Sequence, residues 1–241
     1  MIKNGVSISQ RLHEQLGKII ADTPPGERLL TEPDLAKQLN VSRATLREAM
    51  RTFETQGLIY RHQGSGTFVI HPSQVIDTGL EVLESIETLS KRIGLIVSMG
   101  ELKIEECQAD NEAAKALSIL PLAQVLRVSR VIHAEGRPVA YLIDILPKDL
   151  IPIEELEMEF TGSVLDLLLK RGFPSPVSSR CEINAVQAKV EVAKALRIQR
   201  GDVLLRFIAY LYTINGQVVD YSFSYFLPGY FNFHVIRKVG I

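Results

Sequence analysis

Residues 42–57 read SRATLREAMRTFETQG, and this stretch decides how the first part of the chain folds. Ser42 can cap a helix at its start, and Gly57 can end it in the left-handed conformation. Between them, apolar residues recur at the spacing of one helical face. These residues are Leu46, Ala49, Met50 and Phe53. The stretch therefore predicts an amphipathic helix from Ser42 to about Gln56.

A basic face lies beside this apolar one. Arg43, Arg47 and Arg51 recur every four residues, and Thr45 lies close to the start of the helix. The planar fork of arginine can bridge O6 and N7 of guanine or clamp phosphate oxygens. The free N–H groups of the first turn, next to Ser42, also favour an anion. Three arginines alone are more typical of a solvated surface helix, so the position of this helix in the chain decides between the two interpretations.

Two further helices are predicted before this one. Residues 7–20 carry apolar side chains at helical spacing, and residues 23–26 break the pattern with two prolines and a glycine. Thr31 can cap a second helix that runs to Leu39, with Asp34 in its first turn. The basic face therefore lies on a third helix, which is the helix that enters the major groove in helix-turn-helix proteins.

A hairpin is predicted after the third helix. Two β-rich runs, residues 58–62 and 67–70, are joined by a tip that holds Gln63, Gly64 and Gly66. Such a tip is typical of a plain β-turn, but its glycines also allow close approach to a sugar-phosphate surface. Three helices followed by a hairpin predict a winged helix-turn-helix, and we expect the hairpin to contact the minor groove or the DNA backbone.

The rest of the chain contains an internal repeat with an offset of about 80 residues. The helical motif at residues 113–117 returns at 192–196, and each copy leads into a hydrophobic strand, at 124–134 and 202–213. A tight turn and a second strand ending at a proline follow each time. The fold class is therefore α+β, with two helix–hairpin units that share one antiparallel sheet. Outside the two units we expect a strand over 94–105, a helix over 163–171 and a strand near 177–188.

The predicted organisation has three parts. Residues 1–72 form the DNA-binding domain, and residues 73–94 form a helical linker because their apolar side chains follow a helical period. Residues 95–241 form an effector-binding and dimerisation domain. Residues 1–71 hold 9 lysines and arginines against 7 acidic residues, so DNA affinity must come from the placement of charges more than from their number.

Composition excludes several other classes of protein. The chain has 241 residues, a net charge of -1 and 46% hydrophobic residues, which is typical of a globular protein. Cys107 and Cys181 are far apart without metal-ligand spacing, and they are interpreted as thiols in a reducing compartment. No apolar run is long enough for a membrane span, and the start lacks a signal pattern. We expect a cytoplasmic protein with no membrane partner, no metal site and no cofactor.

The first part of the chain closely resembles the GntR superfamily of bacterial regulators. The matching stretches are residues 24–30, Leu35-Ala36, residues 41–49, residues 56–59 and residues 64–69. The resemblance implies that Arg43 and Arg47 contact operator bases or phosphates and that Gln63-Gly64 enters the minor groove. Further candidates for DNA contact are Arg28, Ser42, Thr45, Arg51 and Gly66. The family usually has arginine after the glutamate that starts the second helix, where this chain has Pro33.

Residues 74–238 resemble the UTRA ligand-sensing domain of the HutC subfamily, which is related in fold to chorismate lyase. The resemblance rests on Gly136-Arg137-Pro138, Pro147, the helix at Ser163 and the duplicated plan. It implies a pocket that uses Ser85, Arg130, Ser163 and Tyr230. Two other pocket positions of sugar-phosphate sensors hold Ile132 and Leu142 here, so a sugar phosphate is not the expected effector.

An apolar or amphipathic effector, with a carboxylate for Arg130, fits these residues better. Asp144 is a further candidate, because a carboxylate within a hydrophobic strand needs a partner. Each residue also has a structural interpretation: Ser85 and Ser163 can be helix caps, and Arg130 can pair with Asp144 inside the protein.

The sequence therefore predicts a transcription repressor that binds palindromic double-stranded operator DNA as a homodimer and responds to a small-molecule effector. Two alternatives stay open. One is a lyase-type enzyme with an added DNA-binding domain, although no catalytic set of nucleophile and base is found. The other is a dimeric DNA-binding protein that responds to no effector.

Overall fold

The computed structural model describes residues 8–55, 57–62, 65–70, 75–134 and 136–238. The chain divides into two compact units. The first comprises Met1–Val75 with Pro228–Tyr230, and the second comprises Ile76–Leu227 with Phe231–Ile241. No helix in the described part of the chain is long and apolar enough to cross a membrane.

The first unit is the predicted winged helix-turn-helix. Its elements are α1 Ile8–Asp22, α2 Glu32–Gln38, α3 Arg43–Thr55, β1 Ile59–His62 and β2 Gly66–Val69. The two strands pair antiparallel, with Ile59 opposite Val69. The predicted apolar face of α3 is buried in a core shared with α1 and α2, because Leu46, Met50 and Phe53 are all inaccessible to solvent.

The second unit is built around one six-stranded sheet. Its elements are, in chain order, β3 Ile76–Gly79, α4 Ile86–Ile93, β4 Val97–Gln108, α5 Asn111–Leu117, β5 Gln124–Ala134, β6 Arg137–Pro147, α6 Ile153–Glu159, α7 Val164–Arg171, β7 Pro176–Gln187, α8 Val190–Leu196, β8 Val203–Thr213, β9 Val218–Phe226 and β10 Phe231–His234. A short 3-10 turn lies at Lys148–Leu150.

The sheet has the predicted duplicated plan. Its strand order is β4-β5-β6-β9-β8-β7, and every neighbouring pair is antiparallel. Each half contributes one long edge strand, one helix and one hairpin, and the halves join at the centre through β6 and β9. The two predicted helical motifs form α5 and α8.

The two faces of the sheet are covered differently. Helix α5 packs on one face against alternate residues such as Val125 and Tyr221. Helices α6 and α7 pack on the opposite face against the residues between them, such as Leu126 and Leu146. Because successive side chains of a strand point to opposite faces, one alternating pattern supplies both cores.

The predicted helical linker is wrong for most of its length. Only Ile86–Ile93 is helical, whereas Ile76–Gly79 is a strand that pairs in parallel with Phe231–His234. The apolar spacing that suggested a helix is also compatible with a strand in which Ile76 and Thr78 are buried alternately. The partner strand comes about 155 residues later in the chain, so no local pattern could reveal the pairing. The predicted boundary at residue 72 lies outside the described residues.

Candidate DNA-binding surface and effector cavity

The start of α3 presents hydroxyl groups and an arginine to solvent. The Thr45 N–H donates to Ser42 Oγ at 3.1 Å, and the two hydroxyl oxygens lie 2.8 Å apart. Ser42, Arg43 and Thr45 are all exposed. The first turn of α3 therefore offers a positive charge and hydrogen-bond donors to a phosphate or a base edge.

Arg47 lies one turn further along α3 and is oriented by a carboxylate of α2. Its Nε is 2.7 Å from Glu32 Oε2, yet 65% of its side chain is exposed. Arg61 of β1 reaches the same carboxylate, with Nη1 3.6 Å from Glu32 Oε1, and its Nη2 donates to the Arg47 carbonyl at 3.3 Å. Glu32 and Arg61 are not among the predicted contacts, because their network joins three elements and leaves no local sequence pattern.

Arg51 differs from the two arginines before it. It is half-buried, and its Nη1 lies 3.7 Å from Glu48 Oε1 on the same helix. The exposed part of the basic face is therefore formed by Arg43 and Arg47.

The base of the hairpin holds Arg28 and Gly66 together. The Leu29 N–H donates to the Thr67 carbonyl at 2.8 Å, which joins the segment before α2 to β2. Gly66 has a φ of 115°, and a Cβ there would clash with Nε of Arg28. The backbone conformation therefore favours glycine, and a side chain at this position would displace the exposed guanidinium of Arg28. Gln63 and Gly64 lie outside the described residues.

We expect Gly66→Ala to weaken DNA binding, while Gly26→Ala does not. Both glycines have positive φ, so each alanine should cost about 1–2 kcal/mol of stability. Only at Gly66 does the new methyl group meet Arg28, because a Cβ at Gly26 has nothing within 4 Å. Thermal unfolding and operator titration of both variants would test this. Equal operator affinity of the two variants would contradict a role for Arg28 and the base of the hairpin.

A cavity of about 610 Å³ lies within the second unit. One face of the sheet forms its floor, and the segment 78–85, α4 and the start of α7 form its walls. Side chains on neighbouring strands form rows across the floor. Arg130 is opposite Leu142, which is opposite Ser224, and Ser224 is opposite Phe207.

The structure brings four of the five predicted effector residues together along this cavity, namely Ser85, Arg130, Asp144 and Ser163. Tyr230, the fifth predicted residue, is buried, groups with the first unit and is not part of this lining. The chain turns at Gly229 and then enters β10, so alternate residues of β10, Phe231 and Phe233, contribute to the lining instead.

Both serines are helix caps as well as lining residues. Ser85 Oγ accepts the Thr88 N–H at 3.0 Å, and its own hydroxyl donates to Asp166 Oδ2 at 2.6 Å. Ser163 Oγ accepts the Asp166 N–H at 3.1 Å. The two interpretations of these serines are therefore compatible, because a cap at a cavity wall serves both purposes.

Arg130 is paired inside the protein. Its Nη1 forms a salt bridge with Asp144 Oδ2 on the neighbouring strand, and its Nε donates to the Gly162 carbonyl. The guanidinium also lies 5.3 Å from the centre of the Phe160 ring, and the side chain is only 5% exposed. The charge of Arg130 is thus already balanced by Asp144, and a ligand carboxylate would have to compete for it.

Two acidic residues that sequence reasoning missed lie at this end of the cavity. Asp220 of β9 is 5% exposed, and Glu87 of α4 is half-buried. Within the described part of the chain, neither Asp220 Oδ1 nor Glu87 Oε1 has a hydrogen-bond partner. Burial raises the pKa of both carboxyls, and the neighbouring charge of Asp144 raises the pKa of Asp220 further.

The other end of the cavity is aromatic and was also not predicted. Four phenylalanines from β8, β9 and β10 form it: Phe207, Phe226, Phe231 and Phe233. Their ring centres lie 4.6–5.6 Å apart within the cluster. These separations are those of favourable edge-to-face and offset aromatic pairs, so the cluster forms a rigid apolar wall.

Comparison with known families agrees with both units. Residues 7–69 match the family described as bacterial regulatory proteins, gntR family, and residues 94–232 match the UTRA domain. The UTRA match alone covers more than half of the chain.

Individual relatives are similar over nearly the whole length. The mannosyl-D-glycerate transport/metabolism system repressor MngR of Escherichia coli (strain K12) is 28% identical over 96% of this chain and 94% of its own. The HTH-type transcriptional repressor NagR of Bacillus subtilis (strain 168) is 28% identical over 91% of this chain and 90% of its own. The crystal structure of PhnF from Mycobacterium smegmatis has the same fold, with a TM-score of 0.65 at 21% identity over 95% of this chain and 100% of that one. The chain therefore belongs to the GntR family of bacterial regulatory proteins and joins their winged helix-turn-helix to a UTRA domain.

Proposed function

We propose that this regulator is a repressor whose affinity for operator DNA is set by a small molecule bound in the cavity of the second unit. The observation that carries the proposal is the exposed polar surface of α3, where Arg43 and Arg47 project beside the capping hydroxyls. That the relatives MngR and NagR are named repressors supports repression over activation.

On this proposal, the DNA contacts divide into two groups. Arg43 and Arg47 contact base edges or phosphates in the major groove, and the hydroxyls of Ser42 and Thr45 contact the adjacent backbone. Arg28 supports the hairpin from its base. Arg51 contributes little direct contact, because it is half-buried. Gln63 and Gly64 remain predicted minor-groove contacts.

We further propose that two copies bind one palindromic site. Each copy presents one α3 helix, so a two-fold pair would place the helices in half-sites about 34–36 Å apart, or a multiple of that distance. The small molecule is bound and released unchanged. In support of this, Ser85 and Ser163 both cap helices, and this structural role accounts for their positions without catalysis.

Selection of DNA by the full chain would test the proposed function. We expect the purified protein to enrich an inverted repeat from random duplexes, and mass measurement to give two chains per duplex. The matched control is a duplex of the same composition with one half-site scrambled, which should bind more weakly by about 10³-fold or more. Enrichment of no common sequence, or binding of the scrambled duplex with equal affinity, would refute the assignment.

A further inference from the structure

We infer that the effector is an organic cation, with an ammonium group held by Asp220 and Glu87 and an apolar body against the four phenylalanines. This inference rests on the proposed function, in which the cavity is the effector site, and it adds the chemical class of the ligand.

The lining of the cavity holds more acidic than basic side chains. Among the described residues around the cavity, five acidic side chains face a single basic one, Arg130. The acidic residues are Glu81, Glu84, Glu87, Asp144 and Asp220. An anionic ligand would find only one cation in this lining, which Asp144 already neutralises, whereas a cation finds several carboxyl groups that can accept its hydrogen bonds.

The pairing of these groups is the second argument. Arg130 is paired with Asp144, and Glu84 lies 2.8 Å from Arg92. Glu87 and Asp220 each keep a buried oxygen without a hydrogen-bond partner in the described residues. A buried carboxyl oxygen without a partner is costly, and native proteins keep few of them. An ammonium group carries three N–H donors, so it can donate to more than one carboxyl oxygen of the lining.

No side chain fills the space next to Glu87 Oε1 on one side, because residue 162 is a glycine. A Cβ at Gly162 would clash with Glu87 Oε1, and Gly162 has a φ of 123° that glycine adopts readily. The carbonyl of the same glycine accepts from Arg130. Gly162 therefore lies beside the Glu87 carboxyl and accepts a hydrogen bond from Arg130, and a side chain at this position would crowd Glu87 Oε1.

The four phenylalanines, here called the aromatic wall, indicate the chemistry of the rest of the ligand. Asp144 of β6 is opposite Ser222 of β9, which is opposite Ala209 of β8, and Phe207 is two residues further along β8. Asp220 of β9 is opposite Leu211, which is four residues from Phe207 on β8. Residues rise about 3.3 Å along a strand and neighbouring strands are about 4.8 Å apart, so Asp220 and the aromatic wall are separated by roughly 14 Å. A ligand that bridges them needs an apolar body, and the faces of the rings also attract a cation on the way in.

Matched sets of probes would test the charge directly. Each set combines one apolar body with three head groups, namely a primary amine, an alcohol and a carboxylate. The four bodies are phenylbutyl, indolylethyl, cyclohexylbutyl and octyl. Calorimetry with the full chain should show at least one amine that binds about 10-fold more tightly, or better, than the alcohol and carboxylate of its set. The inference is overturned if the carboxylate or the alcohol is the tightest member in every set that binds, or if no amine of the four sets binds.

Variants of the two carboxyls test where the cation binds. Asp220→Asn and Glu87→Gln should each weaken amine binding by about 10-fold or more, because a charged hydrogen bond is lost. Asp149→Asn and Glu157→Gln make the same chemical changes at exposed positions and should leave the affinity unchanged. Unchanged affinity in both cavity variants would overturn the assignment of the site.

The pH dependence provides an independent readout. Asp220 interacts with Asp144 on β6 and Arg130 on β5, whereas Glu87 on α4 interacts with Arg130, Asp144 and Asp166; Cys181 on β7 also lines the cavity. A bound cation favours the ionised form of carboxyls whose pKa is raised by burial, so binding should release protons and amine affinity should rise with pH as these carboxyls ionise. Calorimetry in buffers of different ionisation enthalpy should detect proton release, and uptake of protons would contradict it.

Operator binding and amine binding, measured on one preparation of the protein, distinguish failure of this inference from failure of the proposed function. Specific binding of the selected operator together with tightest binding of carboxylates would overturn only the ligand class. Tight amine binding that leaves operator affinity unchanged would support the ligand class and contradict effector control of DNA binding.

Discussion

Arg47→Ala and Arg43→Ala should each weaken operator binding by about 10- to 100-fold, and the double variant should abolish specific binding. Each arginine is exposed on α3, and a good bidentate contact to a base contributes about 1–3 kcal/mol of discrimination. Loss of Arg47 has a second effect, because Glu32 would then keep only Arg61 as a partner and present a less compensated carboxylate to the DNA. Fluorescence anisotropy with a labelled operator measures both effects.

Lys18→Ala provides the control for loss of a positive charge. Lys18 is exposed on α1, away from α3 in the sequence, and its removal should change affinity far less. Titrations at several salt concentrations add a second test, since loss of a phosphate contact reduces the salt slope by about 1. Sedimentation should show that all variants keep the assembly state of the parent. Full operator affinity in both arginine variants would refute α3 as the DNA-binding helix.

Arg130→Met should lower the free energy of unfolding by about 3–5 kcal/mol, the range for breaking a buried ion pair from one side. The methionine fills much of the space of the arginine but leaves Asp144 buried without its cation and next to Asp220. It also removes the donor to the Gly162 carbonyl. Urea unfolding of the ligand-free full chain, followed by circular dichroism, gives the change in stability.

The double variant Arg130→Met/Asp144→Leu separates charge from packing. A hydrophobic pair of similar volume often replaces a buried ion pair without loss, so the double variant should recover most of the stability that Arg130→Met loses. Recovery is expected because the uncompensated carboxylate, not the missing side-chain volume, is the main cost. If Arg130→Met alone unfolds like the parent, Arg130 and Asp144 do not form the buried ion pair described above.

The secondary structure of both units could be predicted where local patterns repeat. The apolar period of α3, with a cap at Ser42 and a stop at Gly57, is complete within 16 residues of sequence. The duplicated helix and hairpin could be predicted because two copies of one sequence pattern support each other. In the structure the two helical motifs form α5 and α8, each followed by its two strands.

Contacts between distant segments could not be predicted in the same way. The acidic end combines Glu87 from α4 with Asp220 from β9, and the aromatic wall combines three strands. One available signal was overlooked: Asp220 is a lone carboxylate within the hydrophobic run VVDYSFSYF, as Asp144 is within its own strand. A carboxylate within a hydrophobic strand needs a partner, and this holds for Asp220 in the second half of the sheet as it does for Asp144 in the first.

The parallel pairing of β3 with β10 has a consequence for how a signal could leave the cavity. β3 follows directly after Val75, where the chain passes from the first unit to the second. Its partner β10 carries Phe231 and Phe233, which line the cavity, and Phe231 is in register with Ile76. A molecule that displaces these two rings would act on β3 through this strand pairing. On the proposed function, we expect occupancy of the cavity to affect the start of the second unit without contact between the ligand and the DNA-binding unit.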